Sequence, residues 1–107
     1  MIKWMRPMYK DDAVKEKVAA VRYRFKFKKY PGDYYFIILP EGQDMPEIIR
    51  AFYLKQPYYK SRNYMIIGIA SGKWAAMELF RDMAEDAWKA RGDVNIREFV
   101  EQAAMKE

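Results

Sequence analysis

Residues 64–72, with the sequence YMIIGIASG, are the most informative stretch of this chain about its fold. The first seven of them are almost continuously apolar, and a run of that length bounded by turn residues is typical of a buried strand. Ser71 and Gly72 end the run, and apolar residues then recur at helical spacing over residues 73–91. The stretch therefore predicts a strand that turns directly into a long surface helix packed on a sheet. The predicted core face of this helix consists of Ala76, Met77, Phe80, Met83, Ala84, Ala87 and Trp88.

Downstream, the pattern ends at residues that commonly close and open helices. Gly92 is a natural C-cap, because glycine adopts a positive φ without steric cost. Asn95 and Glu98 have the spacing of a capping box, which predicts a last short helix over residues 95–104. Residues 105–107 are predicted to fray.

Two strands are predicted upstream of this unit. Residues 34–39 are apolar at every position, which favours a central strand covered on both faces. Residues 21–28 alternate between apolar and basic side chains, the period of a strand with one exposed face. Turn residues Pro31, Gly32 and Asp33 join the two runs, so we expect an antiparallel hairpin, preceded by a short helix over residues 12–19.

A further helix is predicted between the second and third strands. Asp44, Pro46 and Glu47 have the arrangement of a helix start, and this helix must end before Pro57. A strand-helix-strand crossover would set the third strand parallel to the second. The sequence thus predicts an α+β, two-layer domain with element order α-β-β-α-β-α-α, a small three-stranded mixed sheet and helices mainly on one face. One domain is expected over residues 1–107, with an N-terminal arm (1–10) before a globular core (11–104).

Composition disfavours most catalytic chemistry. The chain contains no cysteine, histidine or threonine, so thiolate nucleophiles, imidazole bases and the common zinc ligands are missing. We therefore expect a protein that is not an enzyme and that uses no cofactor or metal ion. No apolar run reaches the ~18 residues of a membrane span, and the N-terminus lacks the features of a secretory signal. These patterns predict a cytoplasmic protein.

The net charge of +5 is concentrated near the N-terminus. Residues 1–30 carry ten basic and three acidic residues, whereas residues 31–107 carry ten basic and twelve acidic residues. The basic side chains on one face of the predicted strand have the spacing to contact successive phosphates of a nucleic acid. A tyrosine-rich loop further along the chain could add groups that stack on bases. The alternative is that these cations are the solvated face of a strand or protect an edge strand from unwanted pairing. The candidate nucleic-acid contacts are Arg22, Arg24, Lys26, Lys28, Lys60 and Arg62.

The turn before the long helix is a candidate anion site. Ser71, Gly72 and Lys73 combine free backbone amides with the positive end of a helix dipole. The segment is not a phosphate-binding P-loop, because three residues rather than four separate Gly68 from Gly72 and Trp74 follows the lysine. The alternative is structural, with Ser71 as the helix cap and Gly72 as a tight-turn residue.

The N-terminal arm carries large apolar residues without a clear helical or strand period. Methionine and aromatic side chains adapt to a neighbour's apolar surface, which makes the arm a candidate protein interface. The alternative is that the arm folds back on its own domain. The candidate interface residues are Trp4, Met5, Met8 and Tyr9.

Together these observations favour a non-enzymatic protein-interaction module, either a homodimer or a subunit of a larger assembly. A nucleic-acid-binding module that contacts phosphates without reading sequence is the alternative. An enzyme built on lysine, tyrosine or carboxylate groups is the third hypothesis.

Parts of the chain also resemble a family of small uncharacterised bacterial proteins, found mainly in anaerobic Gram-positive bacteria. The resemblance covers about residues 20–100 and rests on the motifs YFIILP (35–40), II (48–49), IIGIASG (66–72), MEL (77–79) and GDVNIREF (92–99). It implies a shared fold and an association with mobile or conjugative elements. It implies no activity, cofactor or functional residue.

Overall fold

The computed structural model of the chain describes residues 2–10 and 34–105; within these ranges the side chains of residues 2–4, 6–8, 55, 60 and 103–105 are not described. The strands are β1 (Ile2–Lys10), β2 (Tyr35–Pro40), β3 (Glu47–Arg50) and β4 (Tyr64–Ala70). The helices are a 3₁₀ helix (Ala51–Lys55), α1 (Pro57–Lys60), α2 (Lys73–Arg91) and α3 (Ile96–Met105).

The four strands form one mixed sheet in the order β1-β4-β2-β3. β4 runs parallel to β1 and antiparallel to β2, and β2 runs antiparallel to β3. The α+β class and the mixed sheet are thereby confirmed, but the prediction of three strands and of their order along the chain was wrong. The predicted helix 12–19 and basic strand 21–28 lie outside the described residues.

One correction concerns the N-terminal segment, which is an edge strand of the described sheet and not an arm. Its register with β4 shifts between Trp4 and Tyr9, so that the intervening residues form an irregular bulge. Pro7 lies in this bulge and lacks the N–H that a regular ladder requires. Because the bulge breaks the two-residue period, no strand pattern was visible in this part of the sequence.

Residues 44–55 require a second correction, because they form strand β3 and a 3₁₀ helix in place of the single predicted helix. Ile48 and Ile49 pair with Ile37 and Phe36 in an antiparallel ladder, consistent with the preference of β-branched residues for strands. The following 3₁₀ helix buries Ala51 and Leu54. Without a crossover helix the third predicted strand runs antiparallel to the second, and not parallel as expected.

Apolar side chains cover both faces of the sheet. On one face Ile37, Leu39 and Ile67 pack with α2 and α3. On the other, Phe36, Ile38, Ile66 and Ile69 pack with Ala51 and Leu54. Ile66 and Ile69 share a face although they lie three residues apart, because a bulge between Ile37 and Ile38 in the ladder adds one residue to β4. The two long helices therefore lie on one face, as predicted.

Several predicted boundaries are confirmed. β4 and α2 have the expected limits, and Gly92 follows α2 with a φ of 79°. The Oδ1 atom of Asn95 accepts a hydrogen bond from the backbone N–H of Glu98 at 3.1 Å, which caps α3. The backbone N–H of Asn95 itself donates to Asp93, so the second half of the predicted capping box is replaced by an Asx turn.

No helix in residues 2–10 and 34–105 is long and apolar enough to cross a membrane.

Candidate functional site

The rotation of α2 on the sheet determines which of its side chains reach solvent. Ala76, Leu79, Met83 and Ala87 are buried against the sheet. A methyl group at Gly68 of β4 would lie 3.1 Å from the Cε atom of Met83, so the missing side chain lets the helix approach closely. The prediction that Met77 and Trp88 belong to the core face was therefore wrong, and Leu79 was missed.

An exposed apolar stripe results on the opposite side of α2. Trp74 is 73% exposed, Met77 47% and Trp88 60%, and Arg81 is exposed between them. Positions 74, 77, 81 and 88 follow the three-and-four spacing of a helix face that contacts a partner helix. We call these four residues the α2 outer face. The two indoles lie about 21 Å apart along the helix axis at 1.5 Å per residue.

Acidic side chains border this stripe. Glu78 and Glu85 are exposed, and each lies next to the stripe at the position that flanks the contact seam of paired helices. Within the described part of the chain, no ion pair involves Arg81, Glu78 or Glu85. The outer face thus presents one cation at its centre and two anions along one edge.

A hydrogen bond from β1 helps to hold α2 in this orientation. The Tyr9 hydroxyl of β1 donates a hydrogen bond to Asp86 Oδ2 at 2.5 Å. Burial, followed by that hydrogen bond and the negative charge of Asp86, raises the pKa of Tyr9 well above its usual value. At the C-terminal end of α2, Arg91 Nε donates to Asp93 Oδ1 at 3.1 Å, and this local hydrogen bond lowers the pKa of Asp93. The orientation of the outer face is therefore supported by the Tyr9–Asp86 hydrogen bond as well as by packing.

The candidate nucleic-acid contacts are mostly outside the described residues. Arg22, Arg24, Lys26 and Lys28 lie in the segment 11–33, and the Lys60 side chain is not described either.

Arg62 is described, and its guanidinium group is held by other side chains. It lies 4.8 Å from the ring centre of Tyr58, donates to the Tyr58 hydroxyl at 2.9 Å and pairs with Glu47 Oε2 at 3.7 Å. Tyr59 packs edge-on against Tyr58, and its pKa is raised by burial and by Glu47. This arrangement ties α1 to β3 and partly neutralises the cation that was predicted to contact phosphate.

The candidate anion site lies where it was predicted, at the start of α2. The N-cap residue is Gly72, in extended conformation and without a side-chain cap, so the alternative role of Ser71 as the cap was wrong. Lys73 and Ser71 are exposed. A helix terminus by itself does not make a binding site, and we assign no ligand to it.

The candidate interface residues of the N-terminal segment have different environments. Met5 is 4% exposed within the core that includes Ile67 and Met83, and Tyr9 is partly buried. These two side chains therefore contact the chain's own domain. The side chains of Trp4 and Met8 are not described.

A surface cleft of about 460 Å³ opens between β4 and α3. The Arg97 guanidinium group in its wall donates to the backbone carbonyls of Pro40 and Gln43 and to Glu101 Oε1. Because two of these bonds hold α3 to the connection between β2 and β3, we interpret Arg97 as a residue with a structural role. Among the described residues, no group of three or more acidic side chains is placed to hold a metal ion.

The chain matches no protein-family model, no curated protein and no solved structure.

Proposed function

We propose that this chain is a protein-interaction module that binds a helix of a partner protein through the α2 outer face. The observation that carries the proposal is the exposure of Trp74 and Trp88 on one face of one helix, at 73% and 60%. Tryptophan and arginine are enriched among the residues that dominate binding energy at protein interfaces. Met77 between them adds an adaptable apolar surface.

The exposed area supports an interface of modest affinity. A tryptophan side chain offers up to about 250 Å² for burial, so the two indoles expose roughly 300 Å² together. At about 25 cal/mol per Å², burying that area would contribute roughly 8 kcal/mol before association costs of about 4–15 kcal/mol. The outer face is therefore suited to a reversible contact, or to one part of a larger interface.

The proposal moves the predicted interface from the N-terminal segment to α2. Met5 is unsuited to an interface because it is buried in its own domain. Trp88 and Met77, which the sequence pattern assigned to the core, are exposed instead.

The proposed binding is tested with a synthetic amphipathic helix of about three heptads, which we call the neutral probe. It carries leucine at the contact positions and glutamine elsewhere on the contact face. We expect the wild-type protein to bind the labelled probe in a fluorescence anisotropy titration. The double variant Trp74→Ala/Trp88→Ala should bind at least about tenfold more weakly, a change that corresponds to about 1.4 kcal/mol or more.

The matched control is Met45→Ala, which removes an apolar side chain that is 48% exposed in the connection between β2 and β3. It should leave the affinity unchanged. Absence of binding to the wild type, or equal binding by the double variant, would overturn the proposal.

A further inference from the structure

We infer that Arg81 makes the α2 outer face selective for a different protein chain, whose helix carries an acidic residue at the midpoint of its contact face, and makes it reject a second copy of this chain. The inference rests on the proposed function and adds the chemistry of the partner. It follows from the position of the one cation within the stripe.

The spacing of the stripe sets what happens when two copies of α2 pair. Arg81 is seven residues from Trp74 and seven from Trp88. A parallel pair that stacks each indole on its own counterpart places Arg81 opposite Arg81 of the second copy. An antiparallel pair that stacks Trp74 on Trp88 also places the two arginines opposite each other. Both two-fold arrangements therefore bring like charges together at the centre of the contact, which opposes pairing.

The acidic edge adds to this effect in the antiparallel arrangement. In an antiparallel pair the same edge of each helix faces the other. Glu78 would therefore lie opposite Glu85 of the second copy, once on each side of the two-fold axis that relates the copies. Four carboxylates would then approach one another near the rim. A second copy is thus disfavoured at the centre in both arrangements and at the edge in the antiparallel one.

The same charges define a complementary partner. An acidic residue opposite Arg81 would form an ion pair shielded from solvent by the two indoles, where charge pairing is more effective than at an open surface. Lysine or arginine residues on the adjoining edge would pair with Glu78 and Glu85. The partner helix therefore has apolar residues seven positions to either side of a central Asp or Glu, and a basic flank.

Two probes derived from the neutral helix test this complementarity. The matched probe carries Glu at the midpoint and Lys on the flank, and the reversed probe carries Lys at the midpoint and Glu on the flank. We expect the wild type to bind the matched probe at least about tenfold more tightly than the reversed one, and added salt to reduce the difference. In the Arg81→Gln/Glu78→Gln/Glu85→Gln variant the two probes should bind equally well.

Sedimentation velocity tests the rejection of a second copy. The wild type should remain a monomer over about a hundredfold range of concentration, and Arg81→Leu should form a dimer at least about tenfold more tightly. Adding Trp74→Ala and Trp88→Ala to Arg81→Leu should restore the monomer.

A wild-type dimer that the two Trp→Ala substitutions dissociate, or equal affinity for the two probes, would overturn the inference and leave the proposed function standing. An Arg81→Leu protein that stays monomeric would also overturn it. Failure of the wild type to bind the neutral probe would instead overturn the proposed function.

Discussion

Replacing Gly68 by alanine tests the packing that places the α2 outer face in solvent. A Cβ atom at this position would lie 3.1 Å from Ile37 Cδ1, 3.1 Å from Met83 Cε and 3.4 Å from Ile37 Cβ. Carbon atoms pack best at about 3.5–4.0 Å, so both side-chain ends must move by roughly half an ångström. The φ angle of Gly68 is not positive, so alanine fits the backbone and the clash is the main cost.

The expected loss of stability is about 1 kcal/mol. Overpacking a close-packed core costs about 1–3 kcal/mol, and the middle of that range applies because a flexible methionine end accounts for only one of the three contacts. Lower entropy of the unfolded chain offsets about 0.4–1 kcal/mol. For a domain of this size the loss corresponds to a fall in Tm of about 4–8 °C.

Urea denaturation followed by circular dichroism measures the change, and Gly72→Ala is the matched control. A methyl group at Gly72 would meet no other side chain or backbone atom within 4 Å, and the residue lies in extended conformation. Alanine is a poorer N-cap than glycine, but lower entropy of the unfolded chain offsets this, so the control should change stability by less than about 0.5 kcal/mol. Ile37→Val removes the crowded Cδ1 atom, and the Gly68→Ala/Ile37→Val double variant should therefore lose at least about 0.5 kcal/mol less than the sum of the single variants. Wild-type stability in Gly68→Ala, or strict additivity in the double variant, would refute the packing argument.

Two further predictions concern a partly buried phenol and the basic N-terminal region. Tyr9→Phe removes the hydrogen bond to Asp86 and should cost about 1–2 kcal/mol near neutral pH. Because the pKa of Tyr9 is raised in the folded state, the contribution of its hydroxyl to the free energy of unfolding is complete below about pH 10 and is lost as the pH rises further. The difference in stability between wild type and Tyr9→Phe, measured by urea denaturation at several pH values, should therefore shrink above about pH 10. A difference that grows with pH would contradict this sign. If the nucleic-acid hypothesis is right, the wild type binds labelled oligonucleotides with an affinity that falls log-linearly with salt, and reversing Arg22, Arg24 and Lys26 to Glu abolishes that binding; unchanged anisotropy titrations would reject it.

Where local patterns agreed with one another, the sequence predicted the structure well. The continuous apolar run of Tyr64–Ala70 and the helix Lys73–Arg91 were predicted with their observed limits. Strong hydrophobic periodicity, a turn between the elements and a C-terminal glycine all pointed the same way. The last helix was also predicted, because Asn95 forms its cap through a local hydrogen bond.

Local signals conflicted in residues 44–55, and there the prediction failed. Asp44, Pro46 and Glu47 have the order of a helix start, but the β-branched pair Ile48 and Ile49 had an available edge beside β2. Pairing with that strand satisfies the backbone and buries apolar surface, which outweighs a weak helix signal. A neighbouring strand is not visible in a local sequence window.

The candidate interface depended on the same kind of information. Apolar residues occupy more than half of the circumference of α2, so two different stripes could have formed the core face. In the structure the stripe with Ala76, Met83 and Ala87 packs on the sheet, where the missing side chain at Gly68 lets Met83 approach β4 closely. Trp74 and Trp88 were left outside by this packing.

Features that depend on neighbouring residues along the chain were thus encoded locally. These are the central apolar strands β2 and β4, the two long helices and the cap at Gly92, each set by side-chain period or by backbone freedom. The addition of β1 and β3 to the sheet, the antiparallel direction of β2 against β4, and the rotation of α2 were set only when the chain packed into its tertiary structure. These last features depend on contacts between segments distant in sequence, where the burial of a whole surface outweighs the preference of any one residue.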